Sequence, residues 1–191
     1  MLRKFAAILL SLIFATALFA TSNFPLNYQY TDSNVTVTFP TPDVPNEVDV
    51  EPQTGTTVLV EGQPPANYTG SLTLLDTKGG QATFGYAVLD YDTAVGVDAA
   101  TLDAAINGAF AASGSIAAEN TRKSATLAGA PAREAGGTNG TVDVFLRISD
   151  VGNRRYIATV VTETSLHLTA ADADEFFDLI RPMLKPLKYR A

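Results

Sequence analysis

The chain has 191 residues, carries 20 Asp and Glu against 13 Lys and Arg for a formal charge of −7, and contains no cysteine. The missing thiol excludes disulfides, cysteine-ligated zinc, thiol catalysis and a lipid-modified cysteine anchor. The acidic balance argues against nucleic acid as a partner, since like charges repel over about 8 Å at physiological salt, and the length suits one domain able to bury a core without covalent staples.

Met1 to Ala20 read as a secretory signal peptide. Arg3 and Lys4 form a basic n-region, Phe5 to Phe14 an apolar h-region, and Ala15-Thr16-Ala17 or Leu18-Phe19-Ala20 supplies small-residue cleavage positions. The expected destination is the periplasm or the extracellular space, with membrane attachment only if the leader stays uncleaved as an anchor. Cleavage removes two bases and makes the mature chain still more acidic. The expected organisation is a leader over 1–20, one domain over 21–183 and a basic tail over 184–191. Asn34, Asn67 and Asn139 begin Asn-x-Ser/Thr triplets, glycan acceptors in a eukaryotic secretory pathway. Asn139 lies in Gly-Gly-Thr-Asn-Gly, where its expected role is to form a turn.

Tyr28 and Tyr30 alternate with polar residues, and Val35 to Phe39 repeat the alternation in a β-branched run, so two half-buried strands are predicted. Pro40 and Pro42 stop the second. The Pro-, Asp- and Glu-rich stretch from Thr41 to Thr54 reads as a loop with a short strand near Val48 to Val50, and sheet resumes at Thr56 to Glu61. Strands over Ser71 to Thr77 and Gln81 to Tyr91 form a hairpin about Lys78-Gly79-Gly80. Leu102, Ile106 and Phe110 then fall four apart, predicting a helix from Asp98 to Ala112, capped by Asp98 and ended by Gly114. Gly108 in its middle costs about 1 kcal/mol of helix propensity. Four further strands follow, over Ile116 to Leu127, Pro131 to Gly136, Thr141 to Ser149 and Arg154 to Glu163. A closing helix opens on the capping box Thr169 to Asp172 and carries Phe176, Ile180 and Met183 or Leu184 on one stripe, with Pro182 kinking or ending it.

Strands, a helix, more strands and a last helix give an α+β pattern, helices packing on a central antiparallel sheet. Val-Thr-Val-Thr-Phe-Pro-Thr-Pro at 35 to 42, Gly-Ala-Pro-Ala-Arg-Glu at 129 to 134, Val-Gly-Asn-Arg-Arg-Tyr at 151 to 156 and the closing Glu-Phe-Phe-Asp-Leu-Ile helix resemble the PsbP-like group, which shares its fold with Mog-type Ran-binding proteins. The likeness spans Tyr28 to Met183. It implies an α/β/α sandwich, usually exported in bacteria and plastids, acting in assembly or binding without catalysis. No quoted motif is a cofactor site, so no cofactor is expected.

His167 is the sole histidine and cannot build a two- or three-His zinc site; no Gly-x-Ser-x-Gly elbow makes it a triad base. It reads as a structural or surface residue, against the alternative of a cation site formed with Asp172, Asp174 and Asp178, the last two on one helical face. Asp43, Glu47, Asp49 and Glu51 read as a solvated acidic loop, against calcium or a basic partner. Asp90 and Asp92 form a carboxylate pair that a hydrolase could use. Arg133, Arg154 and Arg155 are expected to pair with acids across the sheet; clustered with Arg147 they would instead recognise a carboxylate or phosphate. Arg181, Lys185, Lys188 and Arg190 form a basic tail, either frayed or docking an acidic surface. The leading expectation is an exported, non-catalytic binding or assembly-accessory protein of the cell envelope, its partner an envelope protein or small ligand. The alternatives are an extracytoplasmic hydrolase using carboxylates and a cation-binding envelope protein.

Overall fold

A computed structural model describes residues 24–44, 47–59, 64–77, 79–96, 98–112 and 118–183. Within them the period-two runs form strands β1 (Leu26–Thr31), β2 (Val35–Pro40), β3 (Val48–Thr57), β4 (Ala66–Thr77), β5 (Ala82–Tyr91), β6 (Ala118–Leu127), β7 (Ala130–Thr138), β8 (Val142–Val151), β9 (Arg154–Glu163) and the short β10 (Arg181–Pro182). Helix α1 (Ala99–Ala112) lies between β5 and β6, and helix α2 (Ala170–Asp178) follows β9 after a single 3-10 turn. The leader and the tail bases Lys185, Lys188 and Arg190 lie outside the described residues.

The strands make two antiparallel sheets, one of order β1-β2-β10 and one of order β3-β4-β5-β9-β8-β7-β6. The expected α/β/α sandwich is corrected by this arrangement. The described structure is mostly β, with two short helices, and one face of the larger sheet is covered by the smaller sheet together with α2. The reason lies in β2, whose alternation puts Val35, Val37 and Phe39 on one side with no exposure. A strand with such a face buries it against another sheet, where a second helical layer was expected. Phe39 packs at 6.3 Å from the Tyr86 ring of β5 and at 5.5 Å from Phe176 of α2, and Phe176 meets Phe84 edge-on at 5.2 Å. These aromatics, with Phe177, Leu75 and Val160, form the main core.

Local signals fix the helices. The Asp98 carboxylate accepts the Thr101 amide at 3.0 Å and its hydroxyl at 2.8 Å, opening α1. Thr169 and Asp172 form the capping box of α2. That helix ends at Asp178, and Pro182 does not end it: Pro182 sits in β10 opposite Val35, and Met183 is exposed, not part of a helical stripe.

Two sheet segments also differ from expectation. β3 runs through Pro52 as a ten-residue strand, which an edge position allows because an edge proline need not donate on its outer side. β4 starts at Ala66, ahead of the expected Ser71, and continues through Gly70, where a Cβ would overlap the carbonyl oxygen of Val88 on β5. Gly70 therefore permits the close approach of two strands. Among the described residues no helix is long and apolar enough to cross a membrane.

Candidate functional site

The face of the seven-stranded sheet opposite the main core carries α1. Leu102 and Ile106 of that helix pack on Ala135 of β7 and on Leu146 and Ile148 of β8. Charge pins the helix to this half of the sheet. The Asp103 carboxylate takes both Nε and Nη2 of Arg133 at 2.9 Å, and Arg122 reaches Asp103 at 3.2 Å and the Asn107 side chain at 2.6 Å. The hydrogen bond from Arg133 is the main cause holding the Asp103 carboxyl below its ordinary 3.8.

Beside α1 the sheet is open. A cleft of about 380 Å³ lies between Ala104, Ala105, Gly108 and Ala109 of the helix and a floor that includes Leu89, Ile157, Tyr68, Tyr91 and Arg155. A second cleft of about 240 Å³, lined by Phe110, Val144, Leu146, Thr159 and Val161, meets the first at Ala109 and Ile157. Helix α1 is rich in alanine and carries Gly108 at the wall, where a Cβ would meet nothing within 4 Å. At one end Tyr68 lies across Gly55 of the edge strand, 5.6 Å from Tyr91. Arg155 sits under Tyr91, its guanidinium carbon 5.6 Å from the ring centre, and binds Asp150 through two 2.8 Å contacts. Its charge is therefore neutralised within the fold, and burial raises the Tyr91 hydroxyl above its ordinary 10.0.

The residues singled out from sequence are mostly engaged elsewhere. Arg147, 3% exposed, lies on the opposite face of the sheet. It donates to Glu134 at 2.7 Å, to Asp178 at 2.7 Å, to Asp174 at 2.5 Å and to the Thr126 carbonyl at 2.9 Å, with its guanidinium 4.9 Å over the Phe177 ring. Lys123 completes the cluster, 3.0 Å from Glu134 and 2.7 Å from Asp174. Burial raises the Glu134 carboxyl; burial is also the largest single influence on Asp174, but hydrogen bonds with Lys123 and Glu134 and the charges of Arg147 and Lys123 together outweigh it, and its carboxyl falls. Thus Asp174 and Asp178 share a helical face as their spacing indicates, and a guanidinium fills it. Asp172 is occupied by the Thr169 cap, and exposed His167 turns its Nδ1 to the Ser165 carbonyl at 2.7 Å. Among the described residues no three His, Asp or Glu converge as metal ligands.

Arg154 stands opposite Asp90 in register and binds it through two 2.6 Å contacts, the cross-strand pairing of bases and acids that the sequence suggests. Asp92 accepts the Asn67 amide at 3.1 Å and its side-chain nitrogen at 2.6 Å. Asn139 caps the β7–β8 turn by accepting the Thr141 and Val142 amides, both at 2.8 Å. Asn34 lies between β1 and β2, its amide bonded to Asp32. Of the acidic stretch, Asp43 accepts the Gly79 amide at 2.5 Å, and Glu47 takes the Val44 amide at 3.3 Å. Asp49 and Glu51 are exposed on β3. Arg181 donates to the Asp178 carbonyl.

The open face itself was missed from sequence. Its signal is the Ile157, Thr159, Val161 alternation of β9, which puts partly buried side chains on the face away from the fully buried Ala158 and Val160. No family model, curated protein or solved structure matches the chain, so the resemblance to the PsbP-like group rests on the quoted motifs alone.

Proposed function

We propose that the protein is an exported, non-catalytic binding or assembly-accessory protein of the cell envelope, and that it binds through the open half of the α1 face. One observation carries the reading: two clefts joined at Ala109 and Ile157 run beside α1, and the second is walled almost wholly by apolar side chains. Apolar floors of this kind in contact with water mark interaction or ligand sites. The leader supports export. The competing hydrolase would require Asp90 and Asp92 as free carboxylates, and their bonds to Arg154 and Asn67 favour the binding reading.

The cysteine-free chain offers a direct test. Thr159→Cys on the open face and Glu175→Cys on α2 each create the only thiol, to be labelled with a benzophenone and irradiated in envelope extract. A discrete adduct from position 159, absent from position 175, is expected. Equal labelling at both positions, or none at 159, would overturn the proposal.

A further inference from the structure

Seven strands spaced by about 4.8 Å make a sheet roughly 29 Å across, and one helix covers about 10 Å of it. Helix α1 sits over β7 and β8. A neighbouring helix packs with its axis about 8 to 10 Å away, which falls over β9 and β5. The floor there has the composition of a helix-packing surface. Leu72 and Leu74 of β4 and Ile157, Thr159 and Val161 of β9 are half-buried, and Gly85 between them is overlaid by Leu74. Leu72 to Asp76 and Ile157 to Val161 each run for about 13 Å, some two and a half helical turns.

The rim of this floor is acidic. Asp49 and Glu51 stand directly opposite Leu74 and Leu72 in the β3–β4 register, so their side chains share the face of the leucines. Both are exposed, and among the described residues no base forms an ion pair with either. Elsewhere on this face Asp103 holds Arg133 and Arg122 and Asp150 holds Arg155, while Asp76 of β4 and Glu163 of β9 meet only the neutral side chains of Thr83, Gln81 and Ser165 among the described residues. The surplus at β3 has one sign.

We infer that the open half of the face receives an amphipathic helix of a partner protein, apolar along the stripe that meets Leu72, Leu74, Ile157 and Val161, with Lys or Arg along the flank that faces Asp49 and Glu51. The inference rests on the proposed binding role and names its partner's chemistry. Exposed acids on an edge strand also discourage strand pairing with other chains, so the test must separate charge of a given sign from charge as such.

The test uses the mature chain and two synthetic peptides of about 14 residues, both with leucine at helical i, i+3, i+4 and i+7 spacing. One carries Lys on its polar flank, the other Glu in the same positions. Fluorescence anisotropy of the labelled peptides is expected to show saturable binding of the Lys peptide, with the Glu peptide about tenfold weaker. In Asp49→Lys/Glu51→Lys, which keeps a charged edge, the preference reverses. Asp143→Lys/Glu175→Lys makes the same change in net charge on the other side of the sheet and leaves the preference within about twofold. Circular dichroism and thermal curves confirm that all variants fold. Equal binding of the two peptides, an equal response to both double variants, or a Lys-peptide signal unaffected by Leu72→Gln would overturn the inference. So would a chain that sediments as a dimer which the Lys peptide does not dissociate, since a second copy would then fill the face. If the peptides fail while the adduct at position 159 forms, the binding face stands and the basic-helix partner falls; if both fail, both readings fall.

Discussion

Arg147→Met tests whether the buried charge cluster holds α2 to the larger sheet. Methionine matches the arginine stem and leaves Glu134, itself 4% exposed, with Lys123 at 3.0 Å as its remaining cation. Asp178 is 65% exposed and Asp174 keeps Lys123, so their losses are small beside that of Glu134. Stranding one member of a buried ion pair costs about 3 to 5 kcal/mol. The retained lysine places this case near the lower end, about 3 kcal/mol, and with a urea slope of about 2 kcal/mol/M the midpoint falls by about 1.5 M. Far-ultraviolet circular dichroism through a urea titration reads this directly. Glu134→Gln/Arg147→Met removes both charges and should recover about 2 kcal/mol, since the dominant penalty is the stranded carboxylate. A midpoint shift under about 0.5 M for the single variant, or a double variant as unstable as the two singles added together, would refute the reasoning.

Gly108→Ala places a methyl where nothing lies within 4 Å and should stabilise α1 by about 0.8 to 1 kcal/mol, raising the melting temperature by about 2 to 4 °C; a lower melting temperature would show that the helix wall is packed where the structure has it open. Acid titration has a defined sign. Hydrogen bonds from the Thr101 amide and side chain hold the Asp98 carboxyl below 3.8, and the Arg133 hydrogen bond does the same for Asp103. A depressed folded-state value gives stability that is present above 3.8 and lost as pH falls through the folded value. The melting temperature should therefore drop below about pH 4, and Asp103→Asn should flatten that limb while lowering stability at neutral pH. An Asp103→Asn profile parallel to wild type would remove Asp103 from the account.

What could be read from the sequence was local. The capping box needs only Thr169 and Asp172, and the β8–β9 hairpin only the alternation of Val142 to Ile148 and the Asp150 to Asn153 turn. β3 was legible only at its ends, near Val48 to Val50 and from Thr56, because Glu51, Pro52 and their neighbours carry loop composition, and only the sheet order reveals an edge that tolerates them. The sandwich expectation failed for a similar reason: alternation in β2 identifies a strand but not the sheet it joins. The site was harder still. Leu102, Ile106 and Phe110 announce a helix with one apolar stripe, yet the width of the surface beneath it depends on β5 pairing with β9, strands separated by more than sixty residues. The same limit governs the carboxylates. Asp174 and Asp178, four apart on a helix, have spacing suited to a cation, and the cation they meet is the guanidinium of Arg147 from another strand. Asp49 and Glu51, two apart on an edge strand, look like ordinary loop acids in sequence. In three dimensions the helix acids are matched by Arg147 and Lys123, while those on β3 face solvent beside an apolar floor. Counter-charge brought in by distant strands thus separates carboxylates that hold the fold from those free to meet a partner, and local spacing carries neither assignment.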